Sequence, residues 1–358
     1  MSMKRLPYIT ILILTTALWL AACTDHDEPQ GVTGEEQEIT LVSATRGITP
    51  LEQQTDVPTI QVYLYATDGS VTPGVFSYYS DAWHGNFGVK VQQYYIYGFA
   101  PASAAQSCVI TSDDYSQGAT MTLTGLSAVT ADDICVLVGV QQVDNNTVGP
   151  DIRDGVFWYQ GQFGFTGRSK DENQNNQNFA CLMLDHIFAG IDFELKVAEE
   201  YDELRTIKLK KMELGMMGGE SVNITLKLQA NNTQETPITE VTENVNNGTQ
   251  TTVLFEDEEG KALSTDVYSI PGCFWPSLDK QLTLTTTYDV YDKKGTRVRE
   301  DCTATNNIDI GTLRDTTTGE IIKTGRGTQA VVSLTIRPTY LYQLSEPELD
   351  NPSVSVEN

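Results

Sequence analysis

Apolar and polar side chains alternate along most of this 358-residue chain, and a period of two admits strands and little else. In Ile60-Gln61-Val62-Tyr63-Leu64-Tyr65-Ala66 the alternation runs into Thr67-Asp68-Gly69-Ser70, a turn. Residues 88–91, 94–99, 121–124 and 134–140 continue the pattern, the last apolar enough to sit centrally in a sheet. Residues 157–159 and 163–165 add aromatic strand material, and further strands read at 191–197, 207–214, 222–228, 252–255, 282–291 and 331–342. The best helical stretch is 198–205, and helix is otherwise scarce. Many short strands parted by Gly, Asn, Asp and Pro predict an all-β chain of β-sandwich architecture, occurring twice.

The division between the two sandwiches is read from residues 167–178, which contain no apolar side chain. This predicts an N-terminal β-sandwich over 38–166, a linker over 167–178 and a C-terminal β-sandwich with a tail over 179–358. A hydrophobic share of 40% is ample for two packed cores.

Ahead of the first strand stands a leader. Lys4 and Arg5 precede an apolar run from Tyr8 to Leu20, too short to span a bilayer, which takes about 20 apolar residues. Leu20-Ala21-Ala22-Cys23 closes it as a lipobox, so 1–22 read as a lipoprotein signal peptide and Cys23 as the lipidated residue. Several acyl chains on that cysteine hold a protein at a membrane far more firmly than one. Residues 23–37 form an acidic tether, with Asp25, Asp27 and Glu28 close behind the lipid. Address and acidity together predict an outer-membrane, cell-surface location. The formal charge of −25, more negative once the leader is gone, excludes nucleic acid as a partner, because phosphate binding needs a basic stripe.

The search for chemistry returns no catalytic, cofactor-binding or metal-binding set. The chain has three histidines: His26 in the tether, His84 in an expected loop, and His186 read as a hydrogen-bonded structural residue. Asp113-Asp114, Asp132-Asp133 and Glu256-Asp257-Glu258-Glu259 read as solvated acids in turns rather than the paired carboxylates of a glycosidase. A calcium-loop start at Asp144 fails, since Val148 and Gly155 occupy ligand positions. Cys135 and Cys181 read as small buried hydrophobes, and Cys273 with Cys302 is the pair to test for a disulfide.

One position stands apart. Residues 38–45 alternate weakly, like the first strand of a sandwich, and Arg46-Gly47 follows. A cut between Arg46 and Gly47 would free everything beyond it from the lipid.

Taken in order, several segments resemble the fimbrillin family, the lipoprotein subunits of type V pili. They are the lipobox, Ile39 to Arg46, Tyr94-Tyr95-Ile96-Tyr97-Gly98-Phe99-Ala100-Pro101, Leu182 to Ala189, and Tyr201 to Leu209. The resemblance implies two transthyretin-like sandwiches and a structural or accessory fimbrial role serving adhesion, with a host or bacterial surface ligand among its partners. It implies cleavage at Arg46 by an Arg-specific protease, loss of residues 39–45, and entry of a C-terminal strand from another fimbrial subunit. The tail after Tyr342, including Pro352-Ser353-Val354-Ser355-Val356, is then the candidate donor, or else 331–342. Proline in that tail weakens it as a ladder strand. A second reading is a monomeric surface lipoprotein that binds glycans through Tyr78, Tyr79 and Trp83; a hydrolase is the third.

Overall fold

The computed structural model describes residues 36–46, 49–54, 56–144, 152–153, 156–157, 160–231, 237–276, 281–314, 318–321, 325–337, 348–349 and 353–356. The signal peptide, Cys23, nearly all of the tether, and Gly47 lie outside the described residues. Among the described residues, helix is confined to Glu199–Asp202 and the 3-10 turns Leu51–Gln53 and Ile310–Thr312. The chain is all-β.

Its first large sheet runs in the order Thr49–Pro50, Thr40–Arg46, Phe179–His186, Cys135–Val143, Gln93–Ala100, Ile60–Ala66, Val71–Tyr79, Ala82–Gly85. Gly164–Thr166 is a ninth strand, beside Gln93–Ala100. The sheet curls until Thr40–Arg46 lies against Ala82–Gly85. Inside the curl sits a core that includes Ile39, Leu41, Val62, Leu64, Trp83 and Leu182. The other face packs on a four-stranded sheet of Ile238–Asn246, Ser221–Gln229, Gly118–Ser127 and Ser107–Thr111. Cys135–Val143 is therefore buried on both sides, with Cys135 and Leu137 in one core and Val136 and Val138 in the other. That is why its sequence reads as a continuous apolar run.

A second sandwich follows. Tyr268–Pro276, Phe188–Val197 and Gln329–Arg337 face a sheet of Thr251–Leu263, Arg205–Met216, Gln281–Asp292 and Arg297–Asp309. Phe193, Leu209, Trp275, Leu284 and Val332 lie at the centre of its core. The outer edge of Gln329–Arg337 is covered by Glu348–Leu349 and by the tail strand Ser353–Val356, both antiparallel to it.

Several sequence expectations are corrected by this topology. Residues 167–178 join two strands of one sheet, Gly164–Thr166 and Phe179–His186, so they are a loop inside the first sandwich and not a linker between sandwiches. Asn178, fully buried, fixes that loop by accepting from Arg168 N at 2.7 Å and donating to Arg168 O at 2.8 Å. A polar composition marked a solvated loop, and polarity alone does not separate a loop from a boundary. The first sandwich also takes Ser221–Gln229 and Ile238–Asn246 from far beyond it. Glu256–Glu259 fall inside the strand Thr251–Leu263, where a sheet edge tolerates charge and uses it against edge-to-edge pairing. His84 is in the strand Ala82–Gly85 with its ring stacked 3.9 Å from that of Tyr79. Cys273 and Cys302 are not joined by a disulfide; they fill the second core from opposite sheets.

Candidate functional site

Among the described residues, Thr40–Arg46 has one long ladder partner. It runs parallel to Phe179–His186, Thr40 opposite Phe179 and Arg46 opposite Leu184, while on its other side, among the described residues, the ladder is limited to Thr45 and Arg46 meeting Pro50 and Thr49. A register shift after Leu41 resets the alternation, so that Ile39, Leu41 and then Ala44 all enter the curled core. These three are 2%, 3% and 0% exposed, unusual burial for a strand so near a sheet edge. Polar positions are tied as well: the Ser43 hydroxyl donates to Glu52 Oε1 at 2.6 Å, and Asn176 Nδ2 donates to Thr40 Oγ1 at 3.0 Å.

At the end of this strand Arg46 turns its guanidinium onto Asp133, Nη1 to Oδ2 2.6 Å. The Asp133 side chain is 6% exposed, so its charge depends on partners rather than on water. The second partner is His186, whose Nδ1 lies 3.0 Å from Oδ1 and 2.9 Å from Oδ2. Asp133 was expected on a solvated turn; burial under the sheet end makes it instead the hub of a charged cluster.

Cys135 completes the group. It sits opposite His186 in the antiparallel ladder, with Sγ 3.9 Å from Nδ1 and 3.8 Å from Asp133 Oδ1. Burial, and then the Asp133 carboxylate, push its thiol well above the ordinary cysteine value, while Arg46 pulls the other way. Next to it, Asp185 pairs with Arg326 at 3.2 Å, drawing in the segment ahead of Gln329–Arg337. The cluster thus stands where the chain leaves the first sandwich for the second.

Of the site residues expected from sequence, Arg46 is placed here, whereas Cys23 and Gly47 lie outside the described residues. Asp133, Cys135 and His186 were each read separately and given no joint role. Only the pairing of two strands about fifty residues apart brings them together, and no sequence spacing announces that. Trp83, expected on a sugar-binding surface, is 6% exposed within the curled core; Tyr79, at 57%, is the aromatic that faces solvent.

No family model and no curated protein matches the chain. Solved structures similar to it include a provisionally assigned cell adhesion protein of Bacteroides fragilis, at 10% identity and a TM-score of 0.40 over 90% of this chain and 97% of that one. A fimbrial protein of Bacteroides vulgatus is similar at 12% identity and a TM-score of 0.37, over 89% and 98% of the two chains. A fimbrial anchor protein of Porphyromonas gingivalis is similar at 9% identity and a TM-score of 0.32, over 88% and 96%.

Proposed function

We propose that this chain is a structural or accessory subunit of a surface fimbria, carried to the outer membrane as a lipoprotein on Cys23 and serving adhesion. An Arg-specific protease cuts after Arg46, and a strand from another subunit takes the place of the one removed. The observation that carries this reading is the position of Thr40–Arg46: a deeply buried strand, next to the sheet edge, ending on an arginine. Its removal would leave unpaired the backbone groups that Phe179–His186 turns towards it and empty the places of Ile39, Leu41 and Ala44. An unpaired edge beside an apolar slot is what strand addition by another chain satisfies.

The same topology favours one donor over the other. Gln329–Arg337 lies inside its sheet, with Val332 and Leu334 at 0% and 2% exposure, and lending it out would dismantle the second sandwich. Among the described residues Ser353–Val356 pairs with the sheet along one side, and it is the segment whose departure would leave the second sandwich standing.

Arg46→Ala should abolish processing: protein from the cell surface keeps its acylated start at Cys23, where the unaltered chain yields Gly47 on N-terminal sequencing. An unaltered chain that never yields Gly47 in cells that build such fibres removes this reading.

The glycan-binding alternative requires Trp83 at the surface. Its burial predicts that Trp83→Ala costs about 3–5 kcal/mol of stability by leaving a cavity, measured by urea denaturation. Glycan affinity lost in Trp83→Ala at unchanged stability would restore the alternative.

A further inference from the structure

A carboxylate, a thiol and an imidazole converge on one point of this molecule, and the cation that balances them is carried on the strand next to the sheet edge. Asp133 Oδ1, Cys135 Sγ and His186 Nδ1 are separated by 3.0, 3.8 and 3.9 Å. A point equidistant from three atoms so placed is about 2.1 Å from each, the length of Zn–N and Zn–O bonds, and a small lift out of their plane reaches the Zn–S length of ~2.3 Å. Their types suit the same ion: one thiolate, one imidazole and one carboxylate form a borderline-soft set of the kind zinc takes.

The support is rigid. Cys135 and His186 are paired residues of one ladder, and Asp133 is anchored two residues before Cys135 by the bond from Ile187 N to Ile134 O at 3.0 Å. The His186 side chain is 28% exposed, which leaves one side open for a water as fourth ligand. Arg46 Nη1, 2.6 Å from Asp133 Oδ2, is a competitor: a guanidinium at that distance satisfies the carboxylate and repels an arriving dication.

We propose that Asp133, Cys135 and His186 form a binding site for a zinc-class dication, that Arg46 stands in for the ion while Thr40–Arg46 is seated, and that the site opens when Arg46 withdraws. Binding releases the Cys135 proton to solvent and leaves a thiolate–metal bond. The physiological trigger rests on the strand-removal reading above; the competition between Arg46 and the ion does not. Because both occupants compete for one carboxylate, zinc and a seated Arg46 oppose each other by the same factor in either direction.

The test is a titration of the full chain in detergent with Zn2+ alone, against a chromophoric chelator. Arg46→Gln should bind one zinc at least tenfold more tightly than the unaltered chain, and adding His186→Ala or Cys135→Ala should remove that binding. Co2+ in place of Zn2+ should give Arg46→Gln a thiolate-to-metal charge-transfer band, which assigns Cys135 even if its substitution misfolds. Equal affinity with and without Arg46, tight binding that survives His186→Ala, or cobalt bound without the thiolate band overturns the site. Zinc binding by Arg46→Gln, together with an unaltered chain that never yields Gly47 at the cell surface, supports the site and discards the processing reading. Ready cutting with no zinc binding discards the site alone.

Discussion

A chain beginning at Gly47 should lose most of its stability and recover it when a strand is supplied in trans. The missing segment buries Ile39 and Leu41 almost completely. Emptying either position alone costs about 2–5 kcal/mol by analogy with Leu or Ile to Ala changes. The ladder from Thr40 to Arg46 is lost at the same time, against a total stability of roughly 5–15 kcal/mol for an ordinary domain. Urea denaturation should therefore find the shortened chain unfolded or associated at concentrations where the intact chain is a folded monomer. A peptide of residues 37–46 should shift the midpoint back towards that of the intact chain. An unchanged midpoint, or one indifferent to the peptide, would mean the strand contributes little and would remove the physical basis for strand exchange.

Asp133→Ala should make Arg46 far easier to cut. In the intact protein the Arg46 side chain is engaged by Asp133, and a protease must draw it out before it can be recognised. Breaking a buried ion pair by deleting one partner costs about 3–5 kcal/mol in general, and the partial exposure of the Arg46 and His186 side chains places this case at the lower end. If about 3 kcal/mol of that falls on the opening of the strand end, the open population rises on the order of a hundredfold, and cleavage rises with it where closing outpaces cutting. Limited trypsinolysis followed by intact mass measures this directly. Phe193→Ala is the control: it empties a fully buried position in the second core and should speed general degradation without favouring the bond after Arg46. Equal rates at Arg46 in Asp133→Ala and the unaltered chain would show that the ion pair does not guard the cut.

How much of this was legible in sequence depended on whether the signal was local. Alternation placed the strands, because the period belongs to each strand by itself; residues 60–66 lie in Ile60–Ala66 as read. The short helix near 199–202 was legible for the same reason. Arg46 stood out through its place at the end of an alternating run. Pairing was not legible. Nothing in 221–246 says that these strands complete a sheet with residues 107–127, and nothing in 167–178 says that the chain returns to the sheet it has just left. The Asp133–Cys135–His186 group was missed for the same cause: each residue had a sound local reading, and the parallel and antiparallel registers around Phe179–His186 created the rest. Trp83 was misread because an aromatic near a turn looks solvated until the curl of the sheet closes over it.

The pairing of Thr40–Arg46 with Phe179–His186 joins groups 137 residues apart, such as Thr45 and Leu182. This strand is therefore among the earliest made and among the latest seated, since its partner must first be synthesised and a long loop then closed. Before that moment Arg46 has no Asp133 to hold it and any Arg-specific protease meets an open chain; afterwards the same bond is guarded. Under the proposed processing, the order of folding and protease encounter would thus decide whether a molecule is trimmed before its first sandwich ever exists or only after it has been built and must be reopened.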